Sequence, residues 1–260
     1  MQMRPMSFGE ILDGAFKIYR SHFVPMFLAA LVCYSPFVVL GVIFAVALGT
    51  AQTGAGVAAA GIAMLVSVPL MILGVGVSWG AVTHQASQAY LGRPVTLGDG
   101  IRVGFSRVLP LFVAMFLTGL LAIFGLLFFI VPFFIVLAMF FAVIPVVVVE
   151  NRGPVDAMGR SRALSRGAWG RILGVLMVAG LIAALPGYAV SFFSAASAAV
   201  ADVEPSTTMI VGTQGLKLFL GALTAPFSMA ATVLLYYDRR IRVEALDVQM
   251  MAGGMPSLAV

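Results

Sequence analysis

Few residues in this chain are equipped for chemistry, and they fall in small groups. The only histidines are His22 and His84, and the only thiol is Cys33. His84 is followed by Gln85 and Gln88, and residues four apart share a helical face. In an apolar run such a trio could relay a proton or hold a polar solute. The ordinary alternative is an interfacial cluster wetted by lipid head groups. Glu150 and Asp238 each end an apolar run beside arginines: Arg152 for Glu150, Arg239 and Arg242 for Asp238. That placement suits structural ion pairs. Arg160, Arg162 and Arg166 form a basic cluster and are the candidate contacts for lipid head groups or a partner. On a helical wheel Arg160 joins Asp156 on the polar side, and Arg162 falls near Met158 and Trp169 at the apolar edge. A guanidinium there can snorkel to a lipid phosphate; topology signalling is the competing reading.

Other chemistries find no support. One thiol and two histidines without ligand spacing do not make a metal site. Gly74-Val75-Gly76 lies inside an apolar run with no phosphate-binding context. No nucleophile stands near a base, so no residue is assigned to catalysis, a cofactor or a metal.

These groups hang on a very apolar chain. Of 260 residues 62% are hydrophobic and 10% charged, where soluble domains carry about 25% charge. The net charge of +5 does not point to nucleic acid, because the basic residues flank apolar runs and form no stripe with aromatics. No charge occurs between Arg20 and Arg93, Arg107 and Glu150, Arg171 and Asp202, or Lys217 and Asp238. About 20 apolar residues cross a bilayer as a helix. The runs therefore predict an all-α polytopic membrane bundle with six transmembrane helices in three hairpins. The spans fall at about 24–48, 57–90, 108–127, 130–149, 172–201 and 218–237, in a single domain over 1–249, with a flexible tail at 250–260. A polar turn at 49–54 separates the first two spans, and Gly125 and Pro132 bracket the turn between the third and fourth. With these spans 14 of the 15 Lys/Arg lie on one side, which places both termini in the cytoplasm.

The basic segments resemble one another. Arg4-Pro5-Met6-Ser7-Phe8-Gly9-Glu10 and Arg93-Pro94-Val95-Thr96-Leu97-Gly98-Asp99 share one pattern, and Arg152-Gly153-Pro154-Val155-Asp156 is a looser copy. Ser7 or Thr96 caps a helix start, with an acid three residues on; Pro154 suits a first helical position. Each motif opens an amphipathic stretch expected to lie in the cytoplasmic interface. Within the spans, Pro36, Pro69, Pro145, Pro186 and Pro226 each remove a backbone donor, and Gly76 and Gly80 form a G-x-x-x-G pair suited to close helix packing.

The opening Arg4–Asp13, with Phe16 and Tyr19-Arg20, is similar to that of the bacterial glycerophosphoryl diester phosphodiesterase membrane domain. So are Glu150-Asn151-Arg152-Gly153-Pro154 with Ala157, Ser161 and Gly167, and Leu235-Tyr236-Tyr237-Asp238-Arg239-Arg240-Ile241-Arg242 with Glu244. The resemblance implies a stand-alone module of the bacterial inner membrane. It does not carry over the activity of the soluble barrel sometimes fused to such domains, whose catalytic His and acid cluster are absent. The expected function is a non-catalytic, lipid-associated scaffold without cofactors, whose partners are membrane lipids, with anionic ones among the candidates; its protein partners are unknown, and an oligomer is left open. The alternative is a small-molecule or lipid transporter built on Pro-broken helices.

Overall fold

The helix starts are set by short polar signals. The Ser7 hydroxyl accepts from the Glu10 backbone N–H at 3.3 Å, and the Glu10 carboxylate accepts from the Ser7 N–H at 2.6 Å. This reciprocal capping box opens α1 (Phe8–Ser21). Thr96 repeats half of it, accepting from the Asp99 N–H at 3.1 Å while its hydroxyl donates to the Asp99 carboxylate at 2.6 Å. Gly153 precedes Pro154 at the third start, where the proline's missing N–H costs nothing.

The computed structural model describes residues 4–31, 54–201 and 206–244. Most of the first predicted span, Cys33, Pro36, residues 49–53 of the first turn, Asp202, Glu204 and the 250–260 tail lie outside them. After α1 come α2 (23–31), α3 (Gly54–Tyr90), α4 (Leu97–Phe128), α5 (Ile130–Met139), α6 (Val143–Val149), α7 (Pro154–Ser165), α8 (Trp169–Ala201) and α9 (Thr207–Glu244). The described residues form no strand. Among the described residues four helical stretches are long and apolar enough to cross a membrane: Leu97–Phe128, Ile130–Val149, Trp169–Ala198 and Met209–Glu244.

The helices differ from the sequence expectation in three places. The Thr96 segment is not a separate interfacial helix, because α4 runs unbroken from Leu97 to Phe128. The amphipathic turns pass into the apolar run with no stop signal between them. The last helix begins at Thr207 rather than near 218, its start held by the Ser206 hydroxyl, which accepts from the Met209 N–H at 3.3 Å. Finally, one side of the apolar face of α1 is covered by protein, while Phe8 and Phe16 stay exposed. Ile11, Ala15 and Ile18 are buried, and the helix runs antiparallel along α9. Met6 bonds Asp238 at one end and the Tyr19 hydroxyl donates to the Leu223 carbonyl at the other.

Packing is concentrated toward one end of the bundle. Buried residues run from Ala222 to Ile241 on α9, stop at Ala179 on α8 and cluster from Val77 to Tyr90 on α3. Beyond that zone α8 exposes Leu181, Leu185, Tyr188, Phe192 and Phe193, the last two 70% exposed. Within the packed zone α3 and α4 approach closely through small residues. A Cβ on Gly80 would meet the Gly104 Cα at 2.9 Å, and one on Gly104 would meet the Val77 carbonyl oxygen at 2.3 Å. Backbones this close require glycine on both helices.

Candidate functional site

The C-terminal turns of α9 carry a polar residue toward nearly every neighbouring element. On an α-helix, successive residues point about a quarter-turn apart. The run Tyr236–Arg242 therefore faces α1, α3, α6, α7 and α8 in turn. Two carboxylates organise the result.

Asp238 is fully buried. It accepts from the Met6 backbone N–H at 2.8 Å and from Arg242 Nε at 3.0 Å, and it pairs with Arg171 of α8 at 3.1 Å. Arg242 also donates to the Met6 carbonyl at 2.7 Å, as does Arg171. A buried carboxylate is stable only with several donors, and Asp238 has three. Among the described residues the buried Nε of Arg171 has no hydrogen-bond partner.

Glu150 caps the C-terminal end of α6 with its side chain 8% exposed. It accepts from Arg152 Nε at 2.9 Å, Arg160 Nε at 3.1 Å and the Tyr236 hydroxyl at 2.8 Å. Arg160 bridges onward to Glu244, and Arg240 pairs with Glu244 at 3.1 Å while lying over the Tyr236 ring. Between these two centres Arg239 donates to the Leu164 carbonyl at 2.8 Å and the Arg166 carbonyl at 3.0 Å, satisfying the end of α7. Tyr237 hydrogen-bonds Ser87 at 2.8 Å and stacks on Tyr90. Ser161 holds the break inside the α5–α6 span: its hydroxyl donates to the Met139 carbonyl at 2.9 Å and accepts from the Ala142 N–H at 3.0 Å.

The residues singled out from sequence divide accordingly. Asp238 pairs with Arg242 and Arg171; Arg239 turns away to α7. Arg160 is drawn between Glu150 and Glu244, with its side chain 21% exposed. Arg162 and Arg166 are exposed and make no ion pair among the described residues. His84, Gln85 and Gln88 do not converge. Gln85 is buried and donates to the Pro25 and Thr96 carbonyls, both at 3.1 Å, tying the start of α2 to the cap of α4. His84 and Gln88 are half-buried and make no side-chain hydrogen bond among the described residues. No group of three His, Cys, Asp or Glu able to hold a metal occurs among those residues. Helices α3, α8 and α9 continue unbroken through Pro69, Pro186 and Pro226, whereas Pro145 follows the break at 140–142. Sequence reasoning missed Met6, Arg171, Tyr236 and Ser161. Ser161, a polar residue on the covered face of an amphipathic helix, was the one signal available for that group.

The Glu10 carboxyl is pushed down to about 2, first by the Ser7 backbone N–H and then by the Arg4 guanidinium.

Among the described residues the all-helical structure with four membrane-length apolar helices defines the class, a helical membrane protein. Residues 88–239, more than half of the chain, match the family described as Domain of unknown function (DUF7847), and the chain belongs to that family. No curated protein and no solved structure matches it.

Proposed function

We propose that this is a six-span protein of the bacterial inner membrane, with both termini cytoplasmic, that associates with anionic lipid and acts as a scaffold without catalysis. The two remaining spans are α3, free of charge along its 37 residues, and the run at 24–48. The hairpins are then 24–48 with α3, α4 with α5–α6, and α8 with α9. The charge asymmetry supports the orientation. Helix length supports the layering: α9, with 38 residues, is about 57 Å long against a hydrocarbon core of about 30 Å. Its Tyr236–Glu244 end then stands in the cytoplasmic layer. Kinship with the glycerophosphoryl diester phosphodiesterase membrane domain is part of the same proposal and rests on the shared motifs.

One observation carries the functional reading. Glu150, Asp238 and Glu244 are each held by arginines, which commits these three carboxylates to structure, while Arg162 and Arg166 make no ion pair among the described residues. The test is native mass spectrometry of the purified full chain with phosphatidylglycerol. Arg162→Ala with Arg166→Ala lowers retention of that lipid relative to phosphatidylcholine. Unchanged retention in the double variant defeats the head-group role.

A further inference from the structure

Contacts between helices fix which residues share a level along the bundle. Met6 meets Asp238 and Tyr19 meets Leu223, so α1 descends α9 from its C-terminal end. Ser87 of α3 meets Tyr237, and a Cβ on Gly76 would touch Val108 of α4. At about 1.5 Å per residue, Lys17, Arg20, Arg107 and Phe227 then lie within about 8 Å of one level. Thr224 bonds the Ala183 carbonyl, which carries that level to α8 near Leu181.

The surface changes character there. On the side of Tyr236–Glu244 the helices are closely packed, and Asp13, Asp99 and Arg102 are exposed. On the other side α4 exposes Phe116, Leu121, Phe124 and Leu127, and α8 exposes Leu185 and Phe193. From Val108 to Phe128 α4 has no charge and measures about 30 Å, the thickness of a hydrocarbon core. A bilayer centred on residues 218–237 of α9 would put Asp13, Lys17, Arg20, Arg102 and Arg107 inside the hydrocarbon. One moved about ten residues down α9 holds Lys217 alone among the described residues. Each charge at membrane depth is costly, so the lower position wins. Side chains on a helix lean toward its N-terminus. Lys17 and Arg20 on α1 and Arg107 on α4 therefore lean toward the cytoplasm and can snorkel to head groups, while Lys217 on α9 leans toward the opposite surface.

We propose that the cytoplasmic edge of the hydrocarbon meets the bundle at Lys17, Arg20 and Arg107, and that the closely packed end stands outside the bilayer as a cytoplasmic body. Asp238 lies about 16 Å beyond Phe227 along α9, clear of the hydrocarbon. The surface that contacts lipid is the exposed apolar collar of α4 and α8 below the three basic residues. This placement rests on the six-span reading above and deepens it: the last span moves from 218–237 toward 207–227. It depends on neither Arg162 nor Arg166.

The test is thiol accessibility in the full chain, with the only native thiol removed by Cys33→Ala. Asp13→Cys and Arg102→Cys report the proposed cytoplasmic body, and Leu121→Cys and Phe193→Cys the collar; all four positions are exposed. A membrane-impermeant maleimide is added to inverted inner-membrane vesicles and to intact spheroplasts. In the inverted vesicles the first pair reacts, and the second pair reacts at least roughly tenfold more slowly, the effect of raising a thiol's pKa by about one unit in apolar surroundings. Protection of Asp13→Cys and Arg102→Cys to the level of the second pair overturns the placement, as does rapid labelling of Leu121→Cys in spheroplasts. Labelling of the first pair in spheroplasts alone reverses the orientation proposed above and supports the boundary. Equal labelling of all four in both preparations defeats the membrane reading itself, and the placement with it.

Discussion

Replacing Gly104 by alanine isolates the close approach of α3 and α4. The new Cβ would lie 2.3 Å from the Val77 carbonyl oxygen, and real Cβ atoms essentially never come within 3.0 Å of another atom. The obstacle is backbone, so no rotamer change relieves it and the helices must separate by at least 0.7 Å locally. A gap of 0.5–1 Å forfeits about a quarter to a half of each dispersion contact it opens. With overpacking costs of about 1–3 kcal/mol, the expected loss is about 2–3 kcal/mol. Gly119→Ala on the same helix, where a Cβ meets nothing within 4 Å, is the control, expected to be neutral or stabilising by up to about 1 kcal/mol. Gly100→Ala should fall between them, because its Cβ meets the Gln85 side chain at 2.8 Å, which can rotate at the expense of its two carbonyl bonds. Unfolding in detergent followed by circular dichroism orders the three. If Gly104→Ala unfolds with Gly119→Ala, the tight crossing is not present.

Three further outcomes are expected. Asp238→Ala leaves Arg171 and Arg242 without their carboxylate and should cost about 3 kcal/mol, the lower end for a broken buried pair, because both arginines keep some solvent contact; limited proteolysis should find the segment before α1 released, and an unchanged cleavage pattern would contradict the clamp on Met6. Ser161→Ala should cost about 1–3 kcal/mol by leaving buried backbone groups unpaired at 139–142, measured by the same unfolding assay, with Ala163→Ser on the exposed face as a neutral control. The Glu10 carboxyl, moved from 4.5 to about 2, should add to the stability of the α1 start fully above pH 4.5 and lose that contribution as pH falls toward 2; carboxyl-carbon NMR giving a midpoint near 4.5 would show that the capping box is not formed.

Local chemistry was largely legible in the sequence. The Ser7 and Thr96 starts depend on residues three apart, and the break at Phe129 falls between Gly125 and Pro132. Contacts between distant elements were not. Asp238 has neighbouring arginines that fit an ion pair, yet a helix sends Arg239 to another face, and the partners supplied by Met6 and Arg171 come from other elements. Arg160 looked open to lipid because its two carboxylates lie on α6 and α9. The amphipathic face of α1 read equally well as lipid-facing or protein-facing, since hydrophobic periodicity does not identify what covers the stripe. The course of α1 along α9 divides it: Ile11, Ala15 and Ile18 pack on protein, and Phe8 and Phe16 remain exposed.

The bond between Met6 and Asp238 joins residues 232 apart, and α9 leaves the ribosome after every element it joins. A nascent chain halted before Tyr236 holds Arg171 without its carboxylate, Glu150 without the Tyr236 hydroxyl and the Met6 segment without its clamp. The polar layer is therefore completed only by the last helix: α9 supplies the carboxylate for Arg171, the hydroxyl for Glu150 and the clamp on Met6 together.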